Sequence, residues 1–291
     1  MIDKPNSQVL KAYTGLEGGV VGSGSTCGVV SGGAMGLAIS HYDELMINGL
    51  PAQVGILSLI GDYVKWFENN FNSAICKDRS GVDFYKVMGQ IRYLIPGDKV
   101  AKCMWHIRSA IRHLYSDHQK ELPAVDIDSF DKKEEPIHCA VQVLRGIREN
   151  TGIGNDNLEH LAFIFDGGVG LQGGVCGALA GAIMGINLLL GLNISDTSYY
   201  QSVKDFTVGH INLLRNKPVQ NPEPFNVGKQ IVQQFKKEAG SMECKTITES
   251  RFSEWSDFQH HIKSSKKCER LIALSIDEAS RAIEMYKPMV A

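Results

Sequence analysis

The spacing of apolar residues along the chain predicts helices in both halves of the sequence. Apolar side chains recur every three or four residues, which places them on one face of a helix. Two clear runs are Val100, Met104, Ile107, Ile111 and Leu114, and Cys268, Ile272, Ile276, Ala279 and Ile283. Segments that alternate apolar and polar residues, as half-buried strands do, are scarce. The pattern predicts an all-α, mainly helical fold.

Two segments of the second half extend this pattern. The residues from Cys139 through Arg148 predict a helix that Gly152 closes. The segment from Asn193 to Pro224, which contains Asn221-Pro222, is predicted to be a loop excursion because these residues favour turns. It is longer than anything equivalent in the first half.

One block of sequence occurs twice, at positions 149 residues apart. Residues 18–20 (GGV) and 27–36 (CGVVSGGAMG) match residues 167–169 (GGV) and 176–185 (CGALAGAIMG). This period exceeds the roughly 20–50 residues of solenoid repeats. It indicates two tandem copies of one domain.

The charged, proline-terminated run 126–136 is the predicted linker. The first domain then spans residues 1–125 and the second spans residues 137–291. Because duplicated domains can inherit a symmetric interface, we expect the copies to pack as an intramolecular pseudo-dimer, with a homo-oligomer as the alternative.

Glycines recur within the repeated block. Ser25 or Thr26 is predicted to cap a helix that runs through Gly36, with Cys27 in its first turn. Each helical glycine costs about 1 kcal/mol relative to alanine, so three on one face indicate a second backbone packed close by, or room for a cofactor. These glycines are Gly28, Gly32 and Gly36, matched by Gly177, Gly181 and Gly185. The paired Met35 and Met184 are predicted to lie in the core.

Six of the seven cysteines also repeat. Phe67 precedes Cys76-Lys77 as Phe235 precedes Cys244-Lys245, and Cys103 and Cys268 each follow a lysine. The triplets are therefore Cys27, Cys76 and Cys103, and Cys176, Cys244 and Cys268. The seventh, Cys139, would have its counterpart before Met1, so we expect the first copy to lack the opening segment.

Composition limits the classes of partner and the cellular location. The chain has 291 residues, 43% of them hydrophobic, and a net charge of −2. It has no Lys/Arg block interleaved with aromatic residues, which argues against nucleic-acid binding. Residues 1–8 show no signal peptide, so a cytoplasmic location is predicted. Cysteines there serve metal binding or redox chemistry more often than structural disulfides.

Two uncharged stretches, residues 18–42 and 167–195, are long enough to be considered as membrane-spanning helices. Their first ten residues are mainly glycine with Ser, Thr or Gln, which suits a loop better than lipid-exposed backbone. What remains fits a buried core helix. A membrane partner is therefore not expected.

The positions of the cysteines indicate reactive thiols. A thiol at a helix N-terminus is favoured as thiolate, which makes Cys27 and Cys176 the strongest candidates. Adjacent lysines would further favour thiolate at the other four repeated positions if their side chains point toward the sulfurs. Three or four thiolates can hold an iron–sulfur cluster or zinc, or can cycle as dithiol and disulfide, and spacing does not choose among these.

Several other motifs are absent or weak. No Cys-x-x-Cys is present, which counts against a zinc ribbon, a bacterial-ferredoxin cluster or a thioredoxin-type motif, and no Cys-x-x-Cys-His is present, which excludes c-type haem. Residues 19–26 lack the lysine of a phosphate-binding P-loop. His106 and His138 lie near cysteines, but neither has a partner in the other copy, so an exposed or hydrogen-bonded role is preferred. No Ser/His/Asp arrangement stands out.

These residues resemble the redox-active cysteine proteins that are named for a C…GCAxxG…C…C pattern, to which the split-Soret cytochromes are related. In the second copy, Cys139 resembles the first cysteine of the family pattern. Cys176 and Gly181 resemble its glycine motif. The last two cysteines of the pattern are matched by Cys244 and Cys268. The order here is Cys-Gly-Ala rather than Gly-Cys-Ala. The resemblance implies redox activity and an iron–sulfur centre held by three cysteines.

The sequence thus supports three hypotheses. The first is a redox protein in which each triplet, with Cys139 as a further candidate ligand, binds an iron–sulfur centre and passes electrons to a redox partner protein. The second is a thiol–disulfide oxidoreductase in which Cys176, or Cys27 in the first copy, attacks and a neighbouring cysteine resolves. The third is a non-catalytic helical interaction module with structural cysteines.

Overall fold

A computed structural model describes residues 7–117, 120–123, 135–214 and 223–290. Over these ranges the chain forms α-helices and short 3₁₀ turns, with two isolated β-bridges and no strand, which confirms the all-α prediction. The helices are α1 (Ser7–Tyr13), α2 (Gly28–Ser40), α3 (Tyr42–Asn48), α4 (Leu50–Phe71), α5 (Cys76–Ser80), α6 (Val87–Leu94), α7 (Asp98–Asp117), α8 (Cys139–Thr151), α9 (Asp156–Leu161), α10 (Gly177–Leu190), α11 (Tyr199–Leu213), α12 (Pro224–Ala239), α13 (Cys244–Thr248), α14 (Trp255–Ser264) and α15 (Lys266–Val290).

The two copies share an order of helices. Helices α1, α2, α4, α5 and α7 of the first copy correspond to α9, α10, α12, α13 and α15 of the second. The predicted helix after Cys139 is present as α8 and ends at Gly152, whose φ of 73° suits glycine. The first copy has no counterpart of α8 within its described residues. Most of the predicted linker, residues 126–134, lies outside the described residues.

The prediction of a loop from Asn193 to Pro224 is wrong for its central part. Helix α11 begins after Ser198, whose side chain accepts a hydrogen bond from the Gln201 backbone N–H. It packs against α12, where Gly209 lies against the Phe225 ring. The turn-forming Asn221-Pro222 comes after α11 in the sequence and lies outside the described residues. Its preference for turns applies to its own position and not to the helical residues before it.

The glycine-rich segments before α2 and α10, the central helices of the two domains, are buried loops with left-handed backbone conformations. Positive φ values occur at Gly18, Gly19 and Val20, and again at Gly167 and Gly168. The loop satisfies its own buried backbone groups, as in the hydrogen bond from the Gly24 N–H to the Gly18 carbonyl oxygen at 3.1 Å. No helix of the described chain has both the length and the apolar character that crossing a bilayer requires.

The glycine face of α10 lies against α8. A methyl group added at Gly181 would lie 2.9 Å from the carbonyl oxygen of Ala140. A methyl group added at Gly177 would lie 3.0 Å from the Cβ of Cys139 and 3.4 Å from the backbone nitrogen of Ala140, so two backbones meet here as the repeated glycines suggested. In the first domain a methyl group added at Gly28 would lie 3.5 Å from the backbone of Leu16 and Glu17, but the expectation of a close neighbour does not hold at Gly32 and Gly36, where no other described element comes within 4 Å. Met35 and Met184 are both buried.

The two domains pack against each other with approximate two-fold symmetry, as the duplication predicted. Helix α1 packs on α10 of the second domain, and its counterpart α9 contacts α2 of the first. At the centre, the Thr26 hydroxyl oxygen accepts a hydrogen bond from the Val175 backbone N–H at 2.7 Å. Farther out, the Lys11 ammonium donates to the Leu189 carbonyl oxygen at 3.0 Å.

We predict opposite stability effects for the same substitution at equivalent glycines. Gly181→Ala forces α10 away from α8 and should lower the free energy of unfolding by about 1–3 kcal/mol. Gly32→Ala meets open space and should raise it by about 0.5–1 kcal/mol through helix propensity. Urea unfolding followed by circular dichroism measures both. Equal effects of the two substitutions would contradict the packing described.

Candidate functional site

Backbone hydrogen bonds hold two cysteines of each triplet side by side. The Cys27 N–H donates to the Ala74 carbonyl oxygen at 2.8 Å, and the Cys76 N–H donates to the Ser25 carbonyl oxygen at 2.7 Å. Cys27 precedes α2 and Cys76 begins α5, so this short antiparallel bridge places the N-termini of two helices together.

The second domain repeats this arrangement. Cys176 donates to the Met242 carbonyl oxygen at 2.8 Å, and Cys244 donates to the Gly174 carbonyl oxygen at 2.6 Å. The bridge is therefore a property of both copies, and it brings together cysteines that are far apart in sequence.

Cys27 and Cys176 are themselves the N-cap residues of α2 and α10. The prediction that Ser25 or Thr26 caps the first helix is wrong, because the Thr26 hydroxyl is engaged by Val175 of the other domain. The first amides of each helix still act to lower the pKa of the cysteine before it, but other contacts decide the net shift at each cysteine.

The three repeated cysteines of the first domain meet at one cavity. It has a volume of about 310 Å³ and is partly open. Cys27, Cys76 and Cys103 all line it, together with the mainly apolar Leu16, Val29, Phe84, Tyr93, Ile107 and Phe206. Tyr93 also hydrogen-bonds Cys103.

Cys27 is the thiol of this cavity that ionises most readily. A hydrogen bond from Cys76, followed by the positive charge of Arg79, lowers the pKa of Cys27 to about 6 against the opposing effect of burial. The pKa of Cys76 is raised because its proton is held in that hydrogen bond and its site is buried. The pair therefore shares one negative charge, and the charge resides on Cys27 at pH 7.

Arg79 is the partly buried cation that sequence reasoning missed. Its guanidinium donates to the Cys27 sulfur at 3.0 Å and hydrogen-bonds the imidazole Nδ1 of His106. It also lies over the Phe67 ring, 4.4 Å from the centroid. His106, which we expected to be exposed or hydrogen-bonded, is buried and hydrogen-bonded. The only sequence signal was the i, i+3 spacing of Cys76 and Arg79 on one short helix.

The second domain places Ile247 where the first has Arg79, three residues after the equivalent cysteine. Burial then dominates and raises the pKa of Cys176 to about 11. The prediction that the helix terminus makes Cys176 a thiolate is therefore wrong, because no cation offsets the cost of burying its charge.

Burial also outweighs the neighbouring lysines. Desolvation raises the pKa of Cys244 and of Cys268, and the charge of Lys267 opposes this only in part at Cys268. The adjacent lysines therefore do not make Cys76, Cys244 or Cys268 a thiolate, although Lys267 acts in the predicted direction at Cys268.

The second-domain cysteines line a nearly closed cavity. This cavity has a volume of only about 10 Å³, which has room for no more than one water molecule. It is lined by Cys139, Cys176, Cys244 and Cys268. The pKa of Cys139 is raised by burial. His261, which the sequence did not single out, also lines this cavity, and its Nε2 lies 4.0 Å from the Cys268 sulfur.

Each site also has an acidic residue paired with histidine. Asp166 accepts a hydrogen bond from Nδ1 of the buried His138 at 2.6 Å. At the equivalent position, Glu17 lies 3.4 Å from Nε2 of His210, which α11 of the second domain contributes. The sequence contained a pattern that could have identified these acids. Glu17 and Asp166 occupy equivalent positions in the repeat, each directly before a repeated Gly-Gly pair.

In ligand type and cavity volume taken together, though not in the present positions of the side chains, the first domain suits an iron–sulfur centre and the second does not. Cysteine thiolates are the usual ligands of such clusters, and three of them line a cavity with room for one. The closed cavity of the second domain does not have that room. No group of three or more His, Cys, Asp or Glu side chains in the described part of the chain is arranged to hold a metal ion.

Comparison with known families supports a redox role. The profile of the family described as "Putative redox-active protein (C_GCAxxG_C_C)" matches the chain twice, over residues 1–114 and 137–281. The two matches coincide with the two copies of the repeat. No curated protein and no solved structure matches the chain.

We predict that Arg79 sets the reactivity of Cys27. In the wild type, alkylation of Cys27 by iodoacetamide should rise with a midpoint near pH 6, because only the thiolate reacts. Arg79→Met should move that midpoint upward by about 1 pH unit or more. Rates measured by mass spectrometry from pH 5 to 9 test this, with the exposed Lys77→Met as control. An unchanged midpoint in Arg79→Met would refute the role of the guanidinium.

Proposed function

Because the chain belongs to the putative redox-active protein family with the C_GCAxxG_C_C pattern, we propose that Cys27, Cys76 and Cys103 bind an iron–sulfur centre that transfers electrons to a partner protein. The convergence of these three repeated cysteines on one cavity of about 310 Å³ carries the proposal. When bound, the centre supplies a group that gains and loses single electrons.

The charge balance of the first-domain cavity supports this proposal. Several thiolates in a buried site repel one another and lose hydration, so they need a compensating cation. Arg79 supplies that charge and donates directly to the Cys27 sulfur at 3.0 Å. Hydrogen bonds to ligand sulfurs are also a means by which a protein tunes reduction potential, which gives Arg79 and Tyr93 a second effect on the site.

The second domain contributes to the same site rather than forming an equal one. Its α11 supplies Phe206 and His210 to the wall of the first-domain cavity. Its own cysteines line a cavity of only about 10 Å³, which is too small for a cluster. The proposal is therefore one centre per chain.

Iron and acid-labile sulfide, measured on protein purified or reconstituted without oxygen, test this proposal. We expect one centre per wild-type chain, its loss in Cys27→Ser, and its retention in Cys176→Ser. Cys176 occupies the equivalent N-cap position in the second domain, so it is a matched control. Wild-type protein without iron after reconstitution, or equal loss in both variants, would overturn the proposal.

A second candidate function, thiol–disulfide exchange, is favoured by the hydrogen bond between Cys27 and Cys76 and the lowered pKa of Cys27. The Cys27 thiolate would attack one sulfur of a partner disulfide, forming a mixed disulfide and releasing a partner thiolate. Cys76, after losing its proton to solvent, would attack the Cys27 sulfur and release the second partner thiolate. The partner gains two electrons, and the Cys27–Cys76 pair becomes the disulfide. Cys27 therefore replaces Cys176 as the attacking residue in this hypothesis.

Metal-free protein incubated with oxidised glutathione tests the second candidate. Cys76→Ser should accumulate one glutathione on Cys27, because the resolving thiol is absent, whereas wild type should form the internal disulfide. Cys103→Ser should behave as wild type. Mass spectrometry distinguishes these products, and a wild-type chain that forms no internal disulfide would exclude the exchange.

A further inference from the structure

The second domain shows what covers the glycine face of a central helix. There α8 packs on both α10 and α15. The Ala140 carbonyl oxygen lies against Gly181, and Gly146 of α8 lies against the Ile276 side chain. This arrangement is an internal template for the same face of the first domain.

None of the described residues covers the corresponding face of the first domain. Outside its own helix backbone, no described atom lies within 4 Å of a methyl group placed at Gly32 or Gly36. Ile107 is 37% exposed, whereas its counterpart Ile272 is 8% exposed. Ile111, the counterpart of Ile276, is 60% exposed. We call this surface the open helix face and define it as Gly32, Gly36, Met104, Ile107 and Ile111.

The open helix face is continuous with the cysteine cavity. Gly32 and Ile107 line that cavity in the first domain. In the second domain, Cys139 at the start of α8 lines the smaller cavity together with Ile272. The cavity of the second domain, which α8 closes, has a volume of about 10 Å³, whereas the open cavity of the first domain has about 310 Å³. This is the difference expected if a helix closes only the second cavity.

Charge beside the open helix face indicates the chemistry of its partner. Arg108 and Arg112 are exposed next to Ile107 and Ile111 on α7. The helix contains no Asp or Glu between its ends at Asp98 and Asp117. Two copies of the chain meeting through this face would bring four arginines together, which disfavours self-association. An acidic partner complements it.

We propose that the open helix face binds an amphipathic helix of a partner protein. The partner helix carries small and aliphatic residues toward Gly32 and Ile111 and acidic residues toward Arg108 and Arg112, and it covers the cysteine cavity as α8 does in the second domain. Binding does not depend on the chemistry of the cavity. The partner's role as a redox partner rests on the proposed function.

The probe is a fluorescein-labelled peptide of residues 137–152 with Cys139→Ser and Gln142→Glu. Gln142 lies beside Glu269 and Ile272 on the α15 side of α8, so the substitution adds an acid toward α7 in the first domain, with Glu149 two turns farther along. Fluorescence anisotropy should show saturable binding to the full chain that weakens with salt. A peptide with Gln142→Lys and Glu149→Lys should bind more weakly.

Protein variants locate the binding. Ile111→Glu should weaken peptide binding by about tenfold or more, because it places a charge in the apolar centre of the interface. Met285→Glu on α15 is the matched control, since Met285 is exposed to 61% and Ile111 to 60%. Arg112→Glu should weaken binding of the acidic peptide and improve binding of the lysine peptide. Bound peptide should also slow alkylation of Cys27.

Three results would overturn the inference: no saturable binding, equal binding by Ile111→Glu and wild type, or a chain dimer in sedimentation that Ile111→Glu dissociates and the peptide does not. Because peptide binding is measured on metal-free protein, its failure would leave the iron and sulfide result standing. Failure of the iron–sulfur proposal would likewise leave the docking result intact.

Discussion

The backbone bridge between the start of α2 and the start of α5 is the constraint on which the candidate site depends. Two hydrogen bonds fix Cys27 and Cys76 at adjacent helix N-termini, and the left-handed glycine loop permits this by turning the chain within a buried space. Helix α7 then completes the triplet by placing Cys103 on the same cavity. The second domain preserves the same construction, so the geometry belongs to the duplicated unit.

Equal backbones nonetheless produce unequal sites. Arg79 in the first domain and Ile247 in the second occupy equivalent positions, and this single difference decides whether a buried thiolate has a countercharge. Helix α8 makes the second difference, because it closes one cavity and has no counterpart over the other within the described ranges. The first site is therefore charged and accessible, whereas the second holds protonated thiols in a closed core.

The two domains also depend on each other structurally. Helix α11 of the second domain contributes His210 to the cavity of the first, where it faces Glu17 and hydrogen-bonds Gln90. The Thr26–Val175 hydrogen bond ties the two bridges together at the pseudo-symmetric centre. A first domain produced alone would lose part of its cavity wall and the partner of a buried hydroxyl.

The sequence by itself determined the helical class, the duplication and the sets of repeated cysteines, because periodicity and repeated spacing are properties of the linear chain. It also contained Glu17 and Asp166 as a repeated position, although their histidine partners lie on unrelated segments. Only the tertiary structure decided which sulfur carries charge, since Arg79 reaches Cys27 across 52 residues of sequence. It alone decided which cavity is open. Burial, countercharge and cavity volume depend on which elements pack together, and a one-dimensional pattern does not specify that packing.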